Sequence, residues 1–484
     1  MLGGSGAINQ MVYFRGNRQD YDQWEQLGNE GWNWDEVLPY FIKSENNKAA
    51  EVVNAYGGRY HGVGGYQSVD FMLESLPYDS LIMEAYKEAG YKQLIDFNAG
   101  EHIGYGLMQY VLEGATRASS AKSYLNPVKD RKNLHVIKNA FVTSLSFSSS
   151  NTVRGVNLIV QGKYQMQALA KKEVILSAGV FNSPHILMLS GIGRKEQLNK
   201  LNIPVKVDLN VGSNLQDHVF VPIFFGLNRS VSGFEDLSRS AIYRLFEYTF
   251  DNKSQLIEFT KLRNVLGLEN TENSTGEFPD VQYYNIHFSK GNFTALKVFN
   301  IHSYEPYLAN SMRKYIAEQD VAGVYISELN PKSRGTLKIV STNPNDHLTV
   351  DTGFFSEPDD ITPFIKGIRK QQILFNTPTF KNYQAIIIKL DIPDCDKFTF
   401  DSDQYWECYV KHTSSSTYHP TSTAKMGPKS DSDAVVDSQL RVHGVKGLRV
   451  IDASIFPVIP SGNTHAPTMM VAEKGSDMIK QFYI

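Results

Sequence analysis

Apolar positions along the chain follow two periods. Over residues 17–45 they recur every three to four positions. Trp34, Val37, Leu38 and Phe41 share one face behind Asn33, which is placed to cap the turn. Segment 79–91 (DSLIMEAYKEAGY) repeats the pattern and predicts a second amphipathic helix, with Asp79 as N-cap and Gly90 as its stop. Residues 134–138 (LHVIK), 141–147 (FVTSLSF) and 153–160 (VRGVNLIV) are β-like, with short polar connections. KKEVILSAG gives a buried strand over 173–177 that runs into glycine. FNSPHILMLSGIG follows as a helix, capped near Asn182 or Ser183, with proline near its first turn and glycine at its end.

From about 219 to 326 the periodicity is lost. Aromatic and polar residues mix, and the region reads as loops and part of a cap. Order returns near 332: SRGTLKIVS predicts a strand and EPDDITPFIKGIRKQQILF starts a long helix. RVHGVKGLRVIDAS alternates as two strands around a glycine-containing turn, and IPSGNTHAPTMMVAEKGSDMI forms a last helix with Pro467 in its first turn. The elements together predict a mixed α/β (α+β) protein. Its segments are 1–225, 226–326 (part of a substrate cap) and 327–478.

A chain of 484 residues, 42% hydrophobic and 20% charged, has the composition of an ordinary globular protein with more than one core. A net charge of −3 without a basic tract gives no reason to expect nucleic acid or an anionic membrane as partner. No apolar run approaches the ~18–20 residues of a membrane span. Residues 1–20 carry no secretory signal, yet Asn-X-Ser/Thr triplets cluster at Asn228, Asn252, Asn273 and Asn292. The cluster leads to the expectation that the parent protein is secreted. Cys395 and Cys408 are either one disulfide or two buried thiols, the latter being the commoner case. Two cysteines alone do not make a tetrahedral zinc site, and no metal catalysis is expected.

Five stretches carry candidate chemistry. GGSGAIN (3–9) supplies glycines that let backbone approach a flat ring or a phosphate, although a flexible terminus would look the same. SAGVFNSPHILMLSGIG (177–193) places a helix start after a strand. In VGSNLQDHV (211–219), Asp217 and His218 are neighbours, and in a strand they would point to opposite faces. This favours a structural Asp over a catalytic pair. TYHPTSTAKMG (417–427) and DASIFPVIPSGNTHAPTMM (452–470) each hold one loop histidine, His419 and His465, which together form a candidate acid/base site.

In this order and spacing the motifs resemble the glucose–methanol–choline (GMC) family of flavin oxidoreductases over nearly the whole chain. MLGGSGAINQMVYFRGN is similar to the tail of the family's first signature. GVFNSPHILMLSGIG is similar to its second, with Val180 in place of the usual small residue. PKSRGTLKI, YHPTSTAKMG and SGNTHAPTMMVAEKGSDMI resemble its C-terminal half. RGNRQDYDQW and WNWDEVLPYF look most like insect, glucose-dehydrogenase-like members.

The resemblance implies a flavin-binding Rossmann-like domain and a substrate domain with an antiparallel sheet covered by helices. It implies alcohol oxidation by hydride transfer to FAD, with His419 as the base and His465 hydrogen-bonding the same oxygen. Gly4, Ser5 and Asn9 would lie by the flavin ring, Val142 by the adenine, and Asp452 and Ala453 along the pyrophosphate and ribityl chain. Asn463, Thr464 and the helix start up to Thr468 would face the pyrimidine edge. Asn9, where some relatives have a nearby histidine, implies non-covalent FAD. The partners implied are a small alcohol, such as a sugar, and an electron acceptor such as a quinone or oxygen.

One part of the pattern is missing. The G-x-G-x-x-G turn between a strand and a helix is absent, as if an upstream βαβ unit of roughly a hundred residues were lacking. The expectation is an N-terminally truncated chain that binds FAD weakly or not at all and tends to aggregate. A non-catalytic binding protein or a degenerate fragment is the alternative. A serine hydrolase is disfavoured, because no G-x-S-x-G elbow occurs.

Overall fold

A computed structural model describes residues 1–72, 77–114, 116–148, 151–231, 264–273 and 276–484. In chain order the elements that build the site begin with helices α1 (Arg18–Gln26), α2 (Trp34–Ser44) and α3 (Pro77–Glu88) and strand β1 (Gly104–Leu107). Strands β2 (Ala140–Phe147), β3 (Val153–Val160), β4 (Tyr164–Leu169) and β5 (Val174–Leu176) lead to helix α4 (Gly179–Leu189). Strands β6 (Val219–Leu227), β7 (Val265–Glu269), β8 (Val281–Phe288) and β9 (Asp320–Glu328) follow, then α5 (Thr362–Leu374) and β10 (Ile386–Ile387). Helix α6 (Asp403–Thr413), β11 (Ser415–Ser416), β12 (Leu448–Val450) and α7 (His465–Tyr483) complete the set.

The centre is a seven-stranded sheet in the order β10-β6-β9-β8-β7-β1, with β11 paired to the other end of β6. All its pairings are antiparallel. Every residue of β6, β7, β8 and β9 is buried. A strand covered on both faces has no polar side to alternate with, which is why 219–326 looks aperiodic in sequence. The region expected to be loops therefore supplies the middle of the main sheet; residues 232–263 of it lie outside those described. Helix α5 lies close against this sheet, because a Cβ at Gly367 would stand 3.1 Å from Ile326 Cγ2. Helix α6 is tied to the sheet by the Tyr409 hydroxyl, which donates to Pro222 O at 2.8 Å.

A smaller three-stranded antiparallel sheet is formed by β2, β3 and β4. Strands β5 and β12 pair in parallel, Leu448 to Val174 through Val450 to Leu176, and α4 leaves the C-terminal end of β5. Among the described residues β5 has no second neighbour, and Ile175 is 43% exposed.

Several local expectations hold. Asn33 caps α2 by accepting from Glu36 N at 3.0 Å, and Pro467 lies in the first turn of α7. Others are corrected. Asp79 lies inside α3, where it accepts from Asn264 Nδ2 at 2.9 Å instead of capping the helix. LHVIK forms no strand. Helix α4 starts at Gly179, before Asn182 and Ser183, and the Ser183 hydroxyl instead accepts from Ala178 N at 3.0 Å. Of the hairpin expected over 441–454 only β12 is a strand; the other arm is reduced to bridges such as Arg441 to Arg449. Cys395 and Cys408 form a disulfide.

Candidate active site

His419 sits in the loop after β11. Tyr418 ahead of it has φ +60° and Ser422 after it φ +77°, left-handed values that a side chain adopts only where its surroundings impose them. The surroundings here are two flanking stretches. Thr417 N bonds His218 O at 3.0 Å and Thr421 N bonds Gln216 O at 2.8 Å, while Ser422 N and Ala424 N bond Ala453 O and Ser454 O. The loop is thereby stitched to the entry of β6 on one side and to the segment after β12 on the other.

The ring of His419 has three polar neighbours. Its Nδ1 lies 3.1 Å from His218 Nδ1 and 2.9 Å from Thr417 Oγ1. Its Nε2 lies 3.1 Å from Asn463 Nδ2. These contacts assign the protons. His218 Nε2 faces the carbonyl of Leu329 at 3.1 Å and must donate to it. Burial holds His218 down at about 4, so at pH 7 it is neutral and its Nδ1 carries a lone pair. The Thr417 hydroxyl spends its proton on His218 O. Both neighbours of His419 Nδ1 are therefore acceptors, and that nitrogen carries the hydrogen. The lone pair is on Nε2. Asn463 agrees, since its Oδ1 accepts from the Tyr284 hydroxyl at 2.9 Å and its amide points Nδ2 at the imidazole. Burial, with His218 adding to it, holds His419 well below the usual histidine range, so the ring is neutral.

Asp217 supports the same histidine from behind. Its Oδ1 accepts from His419 N at 2.9 Å and its Oδ2 from the Ser416 hydroxyl. Burial pushes its carboxyl up to about 7, against the pull of these donors. The expectation that Asp217 and His218 point apart does not hold, because β6 begins only at Val219 and the two precede it in irregular backbone. Both reach His419. Thr417 and Tyr284 are neighbours of the site that sequence reasoning left out, and Asp217 and His218, singled out in sequence, were not connected to His419. No local pattern signals Thr417 or Tyr284, which reach the site through tertiary contacts.

His465 opens α7, two residues after Asn463. Burial pushes it down to about 4, helped by the nearby Arg117 guanidinium. Its Nε2 is buried with no hydrogen-bond partner among the described residues. The glycine segment lies directly on it, since a Cβ at Gly6 would be 3.0 Å from His465 Cε1. Gly4 and Ser5 form a 3-10 turn, Gly4–Ala7, and Asn9 Oδ1 accepts from Met11 N and from Arg117 Nη1 at 2.8 Å. Arg117 has no carboxylate partner among the described residues, and its sequence context gave no sign of this. MLGGSGAIN is thus an ordered piece of the site rather than a loose end.

The remaining candidates lie elsewhere. Val142 is on β2, paired to Leu158, at a bulge before Ser144. Asp452 joins the C-terminal ends of the parallel pair. Its Oδ2 accepts from Gly179 N (2.9 Å) and Ser183 Oγ (2.6 Å), and its Oδ1 from Ser454 N (2.9 Å). The Asp452 carboxylate is a brace whose lone pairs are largely used. Ala453 offers its carbonyl to Ser422 N, and Thr464 O anchors Thr468 in the first turn of α7.

These residues fit the ring end of a flavin. An orphaned imidazole nitrogen, and a guanidinium with no carboxylate partner among the described residues, stand beside glycine backbone. At Gly4 (φ +56°) an added Cβ would meet nothing within 4 Å. Such a wall accepts a flat ring with hydrogen-bonding edges that becomes more negative on reduction.

Comparison with known proteins identifies the family. Residues 1–220 and 331–472 match the two GMC oxidoreductase family models. The chain is 35% identical over 484 residues to glucose dehydrogenase [FAD, quinone] of Drosophila pseudoobscura pseudoobscura, covering 99% of this chain and 74% of that protein. It is 33% identical to ecdysone oxidase of Spodoptera littoralis, covering 100% of this chain and 78% of that one. An FAD-dependent oxidoreductase from Chaetomium thermophilum superposes with a TM-score of 0.81 at 28% identity, over 99% of this chain and 86% of that one. The chain belongs to the GMC oxidoreductases, enzymes whose cofactor is FAD.

Proposed function

We propose that this protein oxidises the CH–OH group of a small alcohol, with Nε2 of His419 as the base. An alcohol holds its proton tightly at pH 7, so loss of hydride from its carbon needs a base at the oxygen and a partner for the alkoxide charge that develops there. The single observation carrying the reading is the proton wiring of His419: a neutral ring, Nδ1–H committed to His218 and Thr417, and the lone pair on Nε2. Asn463 Nδ2 is the donor beside that nitrogen and is positioned to hold the oxygen once the proton has moved. His465, with its unpartnered Nε2, supplies a second contact to the same oxygen or to the flavin edge. FAD, held non-covalently, would supply the hydride acceptor when bound, with a quinone or oxygen as the electron acceptor.

Glucose dehydrogenase and ecdysone oxidase among the relatives favour a sugar or a steroid alcohol as substrate. The test is anaerobic mixing of the chain, kept in excess FAD, with glucose, an ecdysteroid, choline and an aryl alcohol. Bleaching of the flavin by one of them, slowed about 10²–10⁴-fold in His419→Ala, is the expected result. A flavin-loaded chain that no alcohol reduces favours the non-catalytic reading.

Secretion of the parent protein is a second proposal. It is supported by the disulfide and by Asn228 and Asn273, both exposed, with Asn292 half-buried and Asn252 outside the described residues. Material made in insect cells should lose mass on treatment with an N-glycosidase; no change in mass contradicts it.

A further inference from the structure

We propose that Cys395, Cys408 and His412 form a zinc site when their disulfide is reduced. The three side chains lie on the short turn Pro393–Cys395 and on one face of α6, where positions 408 and 412 are one helical turn apart. Their ligand atoms lie within 4.8 Å of one another, and among the described residues they are the one such group.

The geometry is close to what the metal needs. Zn–S bonds of about 2.3 Å and a Zn–N bond of about 2.0 Å at tetrahedral angles place sulfurs about 3.8 Å apart and nitrogen about 3.5 Å from each. His412 Nδ1 is already 3.8 Å from both sulfurs. The sulfurs must part, and a Cα–Cα separation of 5.7 Å leaves that to side-chain rotation. Nδ1 now bonds Cys408 O at 2.9 Å and would exchange that contact for the metal. The other ring nitrogen meets Asp394 Oδ2 at 3.1 Å, the carboxylate–histidine arrangement that fixes the tautomer of a metal-bound imidazole. Cys395 is fully buried, while the His412 and Asp394 side chains are 31% and 78% exposed, which gives an entry path and room for water as fourth ligand.

The chemistry balances. A dithiol reductant gives two electrons and two protons to the disulfide and becomes a disulfide itself. Zn²⁺ then displaces the two thiol protons to solvent. Sequence counting misses the site because it tallies cysteines, and the third ligand is a histidine. The site lies upstream of the catalytic loop, since α6 runs into β11 and on to His419. It does not depend on the alcohol-oxidising reading.

Cobalt titration of the full chain, reduced with a phosphine and freed of metal, tests the proposal. The reduced wild type should take up one equivalent with a thiolate-to-cobalt absorption band that zinc abolishes. Oxidised protein should show no band. His412→Ala should lose it, and Asp394→Asn should weaken binding about 10–100-fold. Absence of the band in reduced wild type, an equal band in His412→Ala, or loss of native circular dichroism on reduction before metal is added would each overturn the proposal.

Discussion

His218 Nδ1 faces His419 Nδ1 across 3.1 Å, ring edge to ring. Two imidazole nitrogens at that separation share one hydrogen. Because His218 commits its other nitrogen to Leu329 O, the shared hydrogen belongs to His419. In the proposed reaction this contact selects which nitrogen of His419 meets the substrate, and its removal gives the first prediction. In His218→Phe, His419 loses that acceptor and the burden of a neighbouring imidazole. Flavin reduction should slow at least about tenfold as the tautomers mix. The acid limb of the pH–rate profile should move to higher pH, because His218 contributes to holding His419 down. An unchanged profile contradicts the assignment.

Burial pushes the Asp217 carboxyl up from the usual carboxylate range to about 7 in the folded chain. The folded state therefore holds this proton more tightly than the unfolded one. The stability it contributes is complete below about pH 4 and is lost as pH rises through about 7. Asp217→Asn should flatten this part of the melting curve against pH, by a few kcal/mol at most. A difference between wild type and variant that grows toward acid, with the wild type the less stable there, would reverse the sign.

Arg15 and Glu45 are both fully buried and pair at 2.6 Å, with His61 bridging Glu45 and Asp96. Removing one partner of such a pair leaves a buried charge and costs about 3–5 kcal/mol. Arg15→Met should lower the denaturation midpoint steeply, and adding Glu45→Gln should restore part of the loss. Equal destabilisation in the double variant contradicts the pairing account.

Gly462 has φ +137°, and a Cβ there would stand 2.2 Å from Phe14 Cδ1. Gly462→Ala should destabilise the fold by about 1–3 kcal/mol and displace the neighbouring Asn463. The displacement would be read as a changed His419 signal in histidine NMR. A wild-type melting temperature and an unmoved His419 signal contradict it.

Among the described residues strand β5 has one neighbour and Ile175 on it is exposed, and Met1 and Leu2 before the turn Gly4–Ala7 and Ile8 after it are exposed as well. We expect this chain to associate through these apolar surfaces. Gel filtration should show species larger than the monomer whose share grows with protein concentration. A monodisperse monomer at every concentration contradicts this.

Much of the architecture was legible in the residues because helices with one wet face announce themselves. Asn33 with Trp34, Val37, Leu38 and Phe41, and the strand–glycine–helix of 173–189, are such cases. The main sheet was not legible, since β6 to β9 are buried along their whole length and have no alternation to read. The two loop histidines stood out by their setting. Their partners did not: Leu329, Tyr284 and Thr417 reach His218, Asn463 and His419 through tertiary contacts that no local pattern encodes. Asp217 and His218 were visible as neighbours, and Asp217 is the hydrogen-bonded structural residue the sequence favoured; that His218 also reaches His419 was not legible, because the pair lies in irregular backbone before β6 rather than in a strand.

The central claim is that His419 stands at neutral pH as an Nδ1–H tautomer with its lone pair on Nε2. Long-range ¹H–¹⁵N correlation of the ¹⁵N-histidine-labelled chain, assigned with His419→Gln, reads the tautomer directly and needs no substrate. A neutral His419 at pH 7 with the bare-nitrogen shift at Nε2, switching to Nε2–H or a mixture in His218→Phe, is the predicted result. A protonated ring at pH 7, or the hydrogen on Nε2 in the wild type, would contradict the account.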